Sequence, residues 1–194
     1  ESIYDALGLS WRPPELREAR NELEQTPTLI VDADVRRDLH THTTASDGHL
    51  SIEDMANEAI RRGFDALAIT DHSRSSVQAN GLDAERLIAH VENIRRVDAS
   101  MKDIKLLAGS EVDIHADGSL DYDDEILAML DIVVASPHVA LKQSPKDATA
   151  RLIAAASHPH VHIIGHPTGR MIGRRPGLEP DMAAICKAAA AHDT

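Results

Sequence analysis

Residues 65–72 read "DALAITDH". A short, unbroken apolar run bounded by polar residues describes a strand buried on both faces. This run stops directly on Asp71 and His72, two side chains that can hold a metal ion. The same phrase recurs on either side of it. "RDLHTH" (37–42) ends on His40 and His42, and "KLLAGSEVDIH" (105–115) carries Glu111. "DIVVASPH" (131–138) ends on His138, and "VHIIGHP" (161–167) carries His166. The runs start about thirty residues apart, the size of one βα unit. Between them lie helix signals. Ser51 opens "SIEDMANEAIRRG" with Gly63 as its stop, and Asp83 opens "DAERLIAHVENIRRV". Ser144 and Pro145 open "SPKDATARLIAAAS", and Pro180 opens "PDMAAICKAAAAH". Capping residues before the helices, proline in the first turn and apolar strands in alternation with them specify an α/β fold with a parallel sheet.

Composition narrows the class further. Of 194 residues, 42% are apolar but only 2% aromatic, so the core must be built from Leu, Ile, Val and Ala. The formal charge of −12 argues against non-specific coating of nucleic acid, so any DNA contact must come from a local basic patch or from another domain. The single cysteine, Cys186, excludes a disulfide framework. No leader and no long apolar run is apparent, and the expectation is a cytoplasmic protein without membrane contact. Residues 1–25 are polar, with helix formers after Pro14, and read as a linker.

In parallel α/β folds, functional residues gather at the carboxyl ends of strands. Each candidate alone has an ordinary reading. An H-x-H pair is a weak signal, His72 can be a core histidine, Glu111 a surface carboxylate, and His138 and His166 loop or capping residues. Five strand ends carrying such residues point instead to one basin. Residues i and i+2 of a strand face the same side, so His40 and His42 can grip one ion, and Asp47 lies in the loop beyond. Mixed imidazole and carboxylate ligands suit zinc, manganese or iron(II), and a carboxylate such as Glu111 can bridge two ions. Paired ions of this kind serve hydrolysis of a phosphoester. The remaining histidines, His49, His90, His115, His158, His160, His162 and His192, read as structural or solvated.

"DLHTHTTASDG", "ITDHS", "GSEVDI", "SPH" and "GHPTGR", in this order, resemble the PHP (polymerase and histidinol phosphatase) family from about residue 36 onward. "YDALGLSWRPPELRE", "VQANGLDAERL" and "GRMIGRRPG" further resemble the carboxyl-terminal PHP domain of bacterial family X DNA polymerases. The resemblance implies a distorted seven-stranded (β/α) barrel with up to three divalent metals, manganese or zinc, with iron a third candidate. It implies that His40, His42 and Glu111 hold one ion, Glu111, His138 and His166 a second, and Asp47 and His72 a third. Asp71 would orient a ligand or the loop, and is grouped with Arg170 as catalytic. It also implies residues 1–34 as a connector to a polymerase region and 35–194 as the PHP domain.

The family's last strand carries an Asp-x-His pair. This sequence ends at "AAAAHDT" without one. The expectation is therefore a barrel truncated after its fifth βα unit, with two incomplete metal sites, an impaired activity and an open sheet edge that invites dimerisation. The leading function is a metal-dependent phosphoesterase acting at DNA ends, of 3′–5′ exonuclease type. The alternatives are a small-molecule phosphomonoesterase of histidinol-phosphatase type and a non-catalytic structural module. Arg170, Arg174 and Arg175, just beyond His166, are candidate contacts to a DNA backbone, or else a solvated loop.

Overall fold

The computed structural model describes residues 2–16 and 27–194. Contacts within it divide the chain into Glu1–Val35 and Arg36–Thr194. The first unit contains a short helix α1 (Ser2–Ala6) and single 3-10 turns at Pro14–Leu16 and Asp32–Asp34. Many of its apolar side chains stand in solvent, Ile3 and Ile30 among them. The helix expected after Pro14 begins as that one turn, and most of it falls outside the described residues.

The second unit is α/β, as its alternating pattern requires. Five strands, β1 (Arg37–Thr41), β2 (Ala66–Ile69), β3 (Lys105–Asp113), β4 (Ile132–Ser136) and β5 (Ile163–Ile164), pair in chain order, all parallel. Among the described residues β1 and β5 pair on one side only. The main helices are α2 (Ile52–Arg61), α3 (Ala84–Ser100), α5 (Pro145–Ala156) and α6 (Met182–His192), with a single turn α4 (Asp124–Leu127) that the sequence pattern did not announce. Ser51, Asp83 and Ser144 cap their helices by accepting a backbone N–H, as read from the sequence. For α6 the cap is Asp181, one residue past Pro180. Parallel βαβ connections are right-handed as a rule, which in a consecutively ordered sheet places the helices along one face. No helix among the described residues is long and apolar enough to cross a membrane.

The two faces of the sheet differ in kind. Leu67, Ile69, Leu106, Ala108, Val112, Val133 and Ala135 join the buried aliphatic cluster under the helices. Alternation sends Ala68, Thr70, Gly109, Glu111, Asp113, Val134 and Ser136 to the opposite face. That face is lined by small side chains. A Cβ on Gly165 would lie 2.3 Å from Ser136 Oγ, and one on Gly109 would lie 2.5 Å from both the carbonyl oxygen and a methyl group of Ile132. Small residues let the strands close around a concave surface. Gly109 is also where β3 changes partner, since residues 105–108 pair with β2 and 109–113 with β4.

β2 and β5 are shorter than their apolar runs. Beyond Ile69 the backbone still bonds sideways, Thr70 N–H to Thr41 O and Glu111 N–H to Thr70 O, but the regular ladder ends. β5 stops before Gly165, and the following His166 has φ +22°, outside strand geometry. His42, His72, His138 and His166 thus sit on the backbone just past their strands, whereas His40 and Glu111 lie within β1 and β3.

Gly109→Ala forces a methyl group into a backbone contact and is expected to cost about 1–3 kcal/mol, the usual penalty of overpacking. The midpoint of chemical unfolding of the metal-free chain measures this, and an unchanged midpoint would show that the β3–β4 contact has slack.

Candidate metal centre

Glu111 stands on the concave face of the middle strand with its side chain 2% exposed. Its neighbours on all four other strands deliver an imidazole to it. Nε2 of His40 and of His42, from β1 and the residue after it, each lie 3.4 Å from Oε2. Nδ1 of His72 lies 2.9 Å from the same oxygen. On the other side, Nε2 of His138 and of His166 lie 3.3 and 2.9 Å from Oε1. Strands two apart in a flat sheet are about 10 Å apart, so imidazoles from β1 and β5 meet on β3 because the sheet curls. The rings follow one another at centroid separations of 5.2, 4.3, 5.1 and 5.0 Å from His40 through His42, His72 and His138 to His166. Asp47 reaches in from the loop, with Oδ1 2.8 Å from His42 Nδ1 and Oδ2 3.5 Å from His72 Nε2.

All seven residues named as ligands from the sequence therefore come together. Three overlapping sets bring one ligand atom per residue within 4.8 Å of one another: His40, His42 and Glu111; His42, Asp47 and His72; His72, Glu111 and His138. The first matches the expected grouping. His72 takes part in two sets, because Nδ1 faces Glu111 and Nε2 faces Asp47. His166 approaches Glu111 from the other side and is hydrogen bonded to Oε1.

The donor chemistry fits divalent cations. Five imidazoles crowd two carboxylate oxygens, more nitrogens than protons and lone pairs can match. His72 Nδ1 is buried and makes no hydrogen bond, although it lies 2.9 Å from Oε2. Nitrogen–oxygen gaps of 2.9–3.4 Å are what an ion with bonds of about 2.0–2.2 Å to each would span. Burial would raise the carboxyl pKa of Glu111, but His138, His166, His40 and His72 outweigh it and hold the group far below the ordinary range. Burial lowers His138, yet Asp113 and Glu111 more than compensate and push it up to about 9.

Behind the ligands lies a supporting tier. Asp113 accepts from His138 Nδ1 at 3.0 Å and from Ser76 Oγ at 2.7 Å. Asp113 is two residues beyond Glu111 and so faces the same side, a signal that "GSEVDI" contained. Arg151, 1% exposed, donates to the carbonyls of Val139 and Ile114 and to Gln143 Oε1, bracing the chain just after His138. Asp71 has no exposure at all. Its oxygens accept from Thr43 N–H and Oγ1, from Ser46 N–H and Oγ, and from His90 Nε2 at 2.9 Å. Asp71 is therefore a positioning residue for the loop carrying Asp47, because no oxygen is left to touch a substrate. Its partner His90 comes from α3, fifty residues from the H-x-H motif, and nothing local in the sequence marks it.

Of the three arginines, Arg170 and Arg174 are exposed on the loop after His166. Arg175 is exposed too, but its Nε donates to Gly169 O at 2.8 Å, so part of its guanidinium serves the loop itself.

A curled parallel sheet with imidazoles and carboxylates converging at the carboxyl ends of its strands defines an α/β protein with residue groups that could hold divalent metal ions. Residues 38–173 match the PHP domain, and the chain belongs to that family. It is 43% identical to the DNA polymerase/3′-5′ exonuclease PolX of Bacillus subtilis over 195 residues, 99% of this chain and 34% of that protein. A probable phosphatase of Caldanaerobacter subterraneus is 35% identical over 67% of this chain and 51% of its own length. Another, from Syntrophotalea carbinolica, is 30% identical over 86% and 65%. The chain thus spans between 34% and 65% of the length of these curated relatives.

Asp71 yields a pH test. Burial raises its carboxyl pKa, but His90, Ser46 and Thr43 outweigh burial and bring it to about 2. An Asp depressed below its ordinary value of about 3.9 adds stability that is complete above that value and is lost as pH falls towards the folded one. Asp71→Ala, which leaves His90 unpaired, is expected to destabilise by about 3–5 kcal/mol at neutral pH. The stability gap between parent and Asp71→Asn should narrow as the pH is lowered from about 4 towards 2. A gap that stays constant across that window, measured by denaturant unfolding, contradicts the assignment.

Proposed function

We propose that this chain is a divalent-metal-dependent phosphoesterase that hydrolyses phosphodiesters at DNA ends in the 3′–5′ exonuclease manner, as one activity of a cytoplasmic repair polymerase. The observation that carries this reading is a single juxtaposition. A carboxylate ringed by five imidazoles is continuous, within four residues of His166, with a loop bearing Arg170, Arg174 and Arg175. Manganese or zinc, with iron(II) as a third candidate, suits the donors. His40, His42 and Glu111 would hold one ion, Glu111, His138 and His166 a second, and Asp47 and His72 a third. Paired divalent ions lower the pKa of bound water and stabilise charge on both sides of a phosphoryl displacement. Glu111, kept ionised by its neighbours, would offset the charge of the ions it helps to hold. Asp71 acts through Thr43 and Ser46 to hold Asp47 in reach. The exposed guanidinium groups of Arg170 and Arg174 suit phosphate oxygens in bidentate fashion. The connector role of residues 1–34 and a polymerase region as partner belong to the same proposal, supported by similarity to PolX along nearly the whole chain.

A second reading, a phosphatase for small phosphomonoesters, is favoured by the probable phosphatases among the relatives. It shares the centre but has no use for the arginines.

Two measurements test the proposal. His138→Ala removes a ligand held by two carboxylates and should lower bound manganese or zinc, read by elemental analysis of the dialysed protein. Metal content equal to the parent's would remove His138 from the centre. Replacing Arg170 and Arg174 by Ala should slow cleavage of a DNA oligonucleotide about tenfold per lost charge-assisted contact. Hydrolysis of a small chromogenic phosphodiester should be nearly unaffected. An equal loss on both substrates counts against the DNA-contact role, and no loss on either favours the phosphatase reading.

A further inference from the structure

The loop after His166 carries more than charge. Gly169 N–H donates to His166 O at 2.8 Å, Arg175 Nε donates to Gly169 O, and Leu178 N–H donates to Thr168 O at 2.7 Å. Leu178 is buried, so both ends of the loop are fixed to the body of the domain. Between them, Met171 and Arg175 exchange backbone hydrogen bonds, each 2.9 Å, as an isolated antiparallel bridge. Arg174 N–H also donates to Met171 O, and Gly173 takes φ +73°, the left-handed turn conformation that glycine accepts without strain. The result is a closed, hydrogen-bonded projection. At its tip Ile172 is 88% exposed, with Met171 beside it at 44%. A large aliphatic side chain held out into water by a tied-down turn makes no contribution to this domain's own core. The same residues, 170–176, line a cavity of about 420 Å³, within the size range of small-ligand sites.

What suits such a tip is set by its flanks. The loop carries three arginines and no acidic residue from 170 to 175, in a chain of formal charge −12. A polyanion with apolar faces meets both demands. We propose that Ile172, backed by Met171, is a wedge that enters the end of a DNA duplex beside the metal centre and displaces the terminal base from its stack. Apolar side chains including Ile and Met separate base steps in this way, while cationic neighbours hold the phosphates. The displaced nucleotide then has the pocket lined by the loop's own residues to enter. The inference rests on the proposed action at DNA ends and adds a preference: the loop opens paired ends instead of waiting for them to fray.

Three probes with the whole manganese-loaded chain test it. The first is a duplex with 2-aminopurine at its 3′ terminus and a cleavage-resistant phosphorothioate linkage. Its fluorescence should rise when the parent binds, remain low when Ile172→Ser binds, and rise again with Ile172→Leu. The second compares cleavage of a blunt duplex with the same duplex mismatched at its last pairs. Ile172→Ser should cut the blunt end about tenfold more slowly, the worth of one stacked base, and the mismatched end at the parental rate. The third, bis(4-nitrophenyl) phosphate, should be hydrolysed equally by both proteins. The wedge is overturned if the parent bound to the first probe does not brighten it, or if Ile172→Ser brightens it equally. A uniform loss on all substrates overturns it as well. A parent that brightens the probe yet hydrolyses neither DNA nor the small diester overturns the phosphoesterase reading and leaves the wedge standing.

Discussion

A buried carboxylate is the constraint to which the rest of the domain answers. An ionised side chain withdrawn from water is expensive unless it is surrounded by groups that favour its charge. Glu111 has five imidazole nitrogens within 3.4 Å and almost no solvent. Supplying them from every strand demands that the sheet curl, and curling demands a concave face of small side chains. Ala68, Thr70, Gly109, Ser136 and Gly165 meet that demand, with Gly109 and Gly165 placed where a single extra carbon would collide with the neighbouring strand. On the convex face the same strands present Leu, Ile and Val to the helices. One alternating sequence therefore serves two opposed purposes, aliphatic cohesion outside and charge within.

Around the centre, imidazole and carboxylate alternate outward. His138 has Glu111 in front and Asp113 behind, and Asp71 has His90 behind and the Thr43–Ser46 turn in front. Such outer partners fix the tautomer and tilt of a ligand. They also explain why Asp71 follows an apolar run without being a ligand. It occupies a buried position, where it orders a loop that no strand supports.

Much of this was legible in the sequence, and the reasons for what was not are physical. Strands and helices could be read because burial on both faces and capping leave local marks, as "DALAITDH" and Ser51 show. The seven converging residues could be read because parallel strands gather their ends at one place. What failed to show locally was pairing across the fold. His90 looks like any helix residue until the packing of α3 against β3 brings it to Asp71. The bond from Arg175 to Gly169 depends on a turn closing, and three adjacent arginines look alike in one dimension. α4 is a single turn too short to impose a period on its residues. The brevity of β5 follows from the left-handed backbone at His166, and neither histidine nor the proline after it advertises that conformation.

The strictly consecutive strand order bears on how the molecule comes into being. Among the described residues each strand hydrogen bonds only to its predecessor and successor along the chain. The sheet can accordingly grow from the amino-terminal side as the polypeptide emerges, each βα unit docking on the last, with no strand inserted between two already paired. A single βα connection separates each strand from its partner, which limits the entropy of closure at every step. The histidine belt fills in the same sequence, and His166 arrives last. Cation capture there would double as an inspection of the nascent chain, since the set of imidazoles about Glu111 is whole only when every one of these five strands has taken its place.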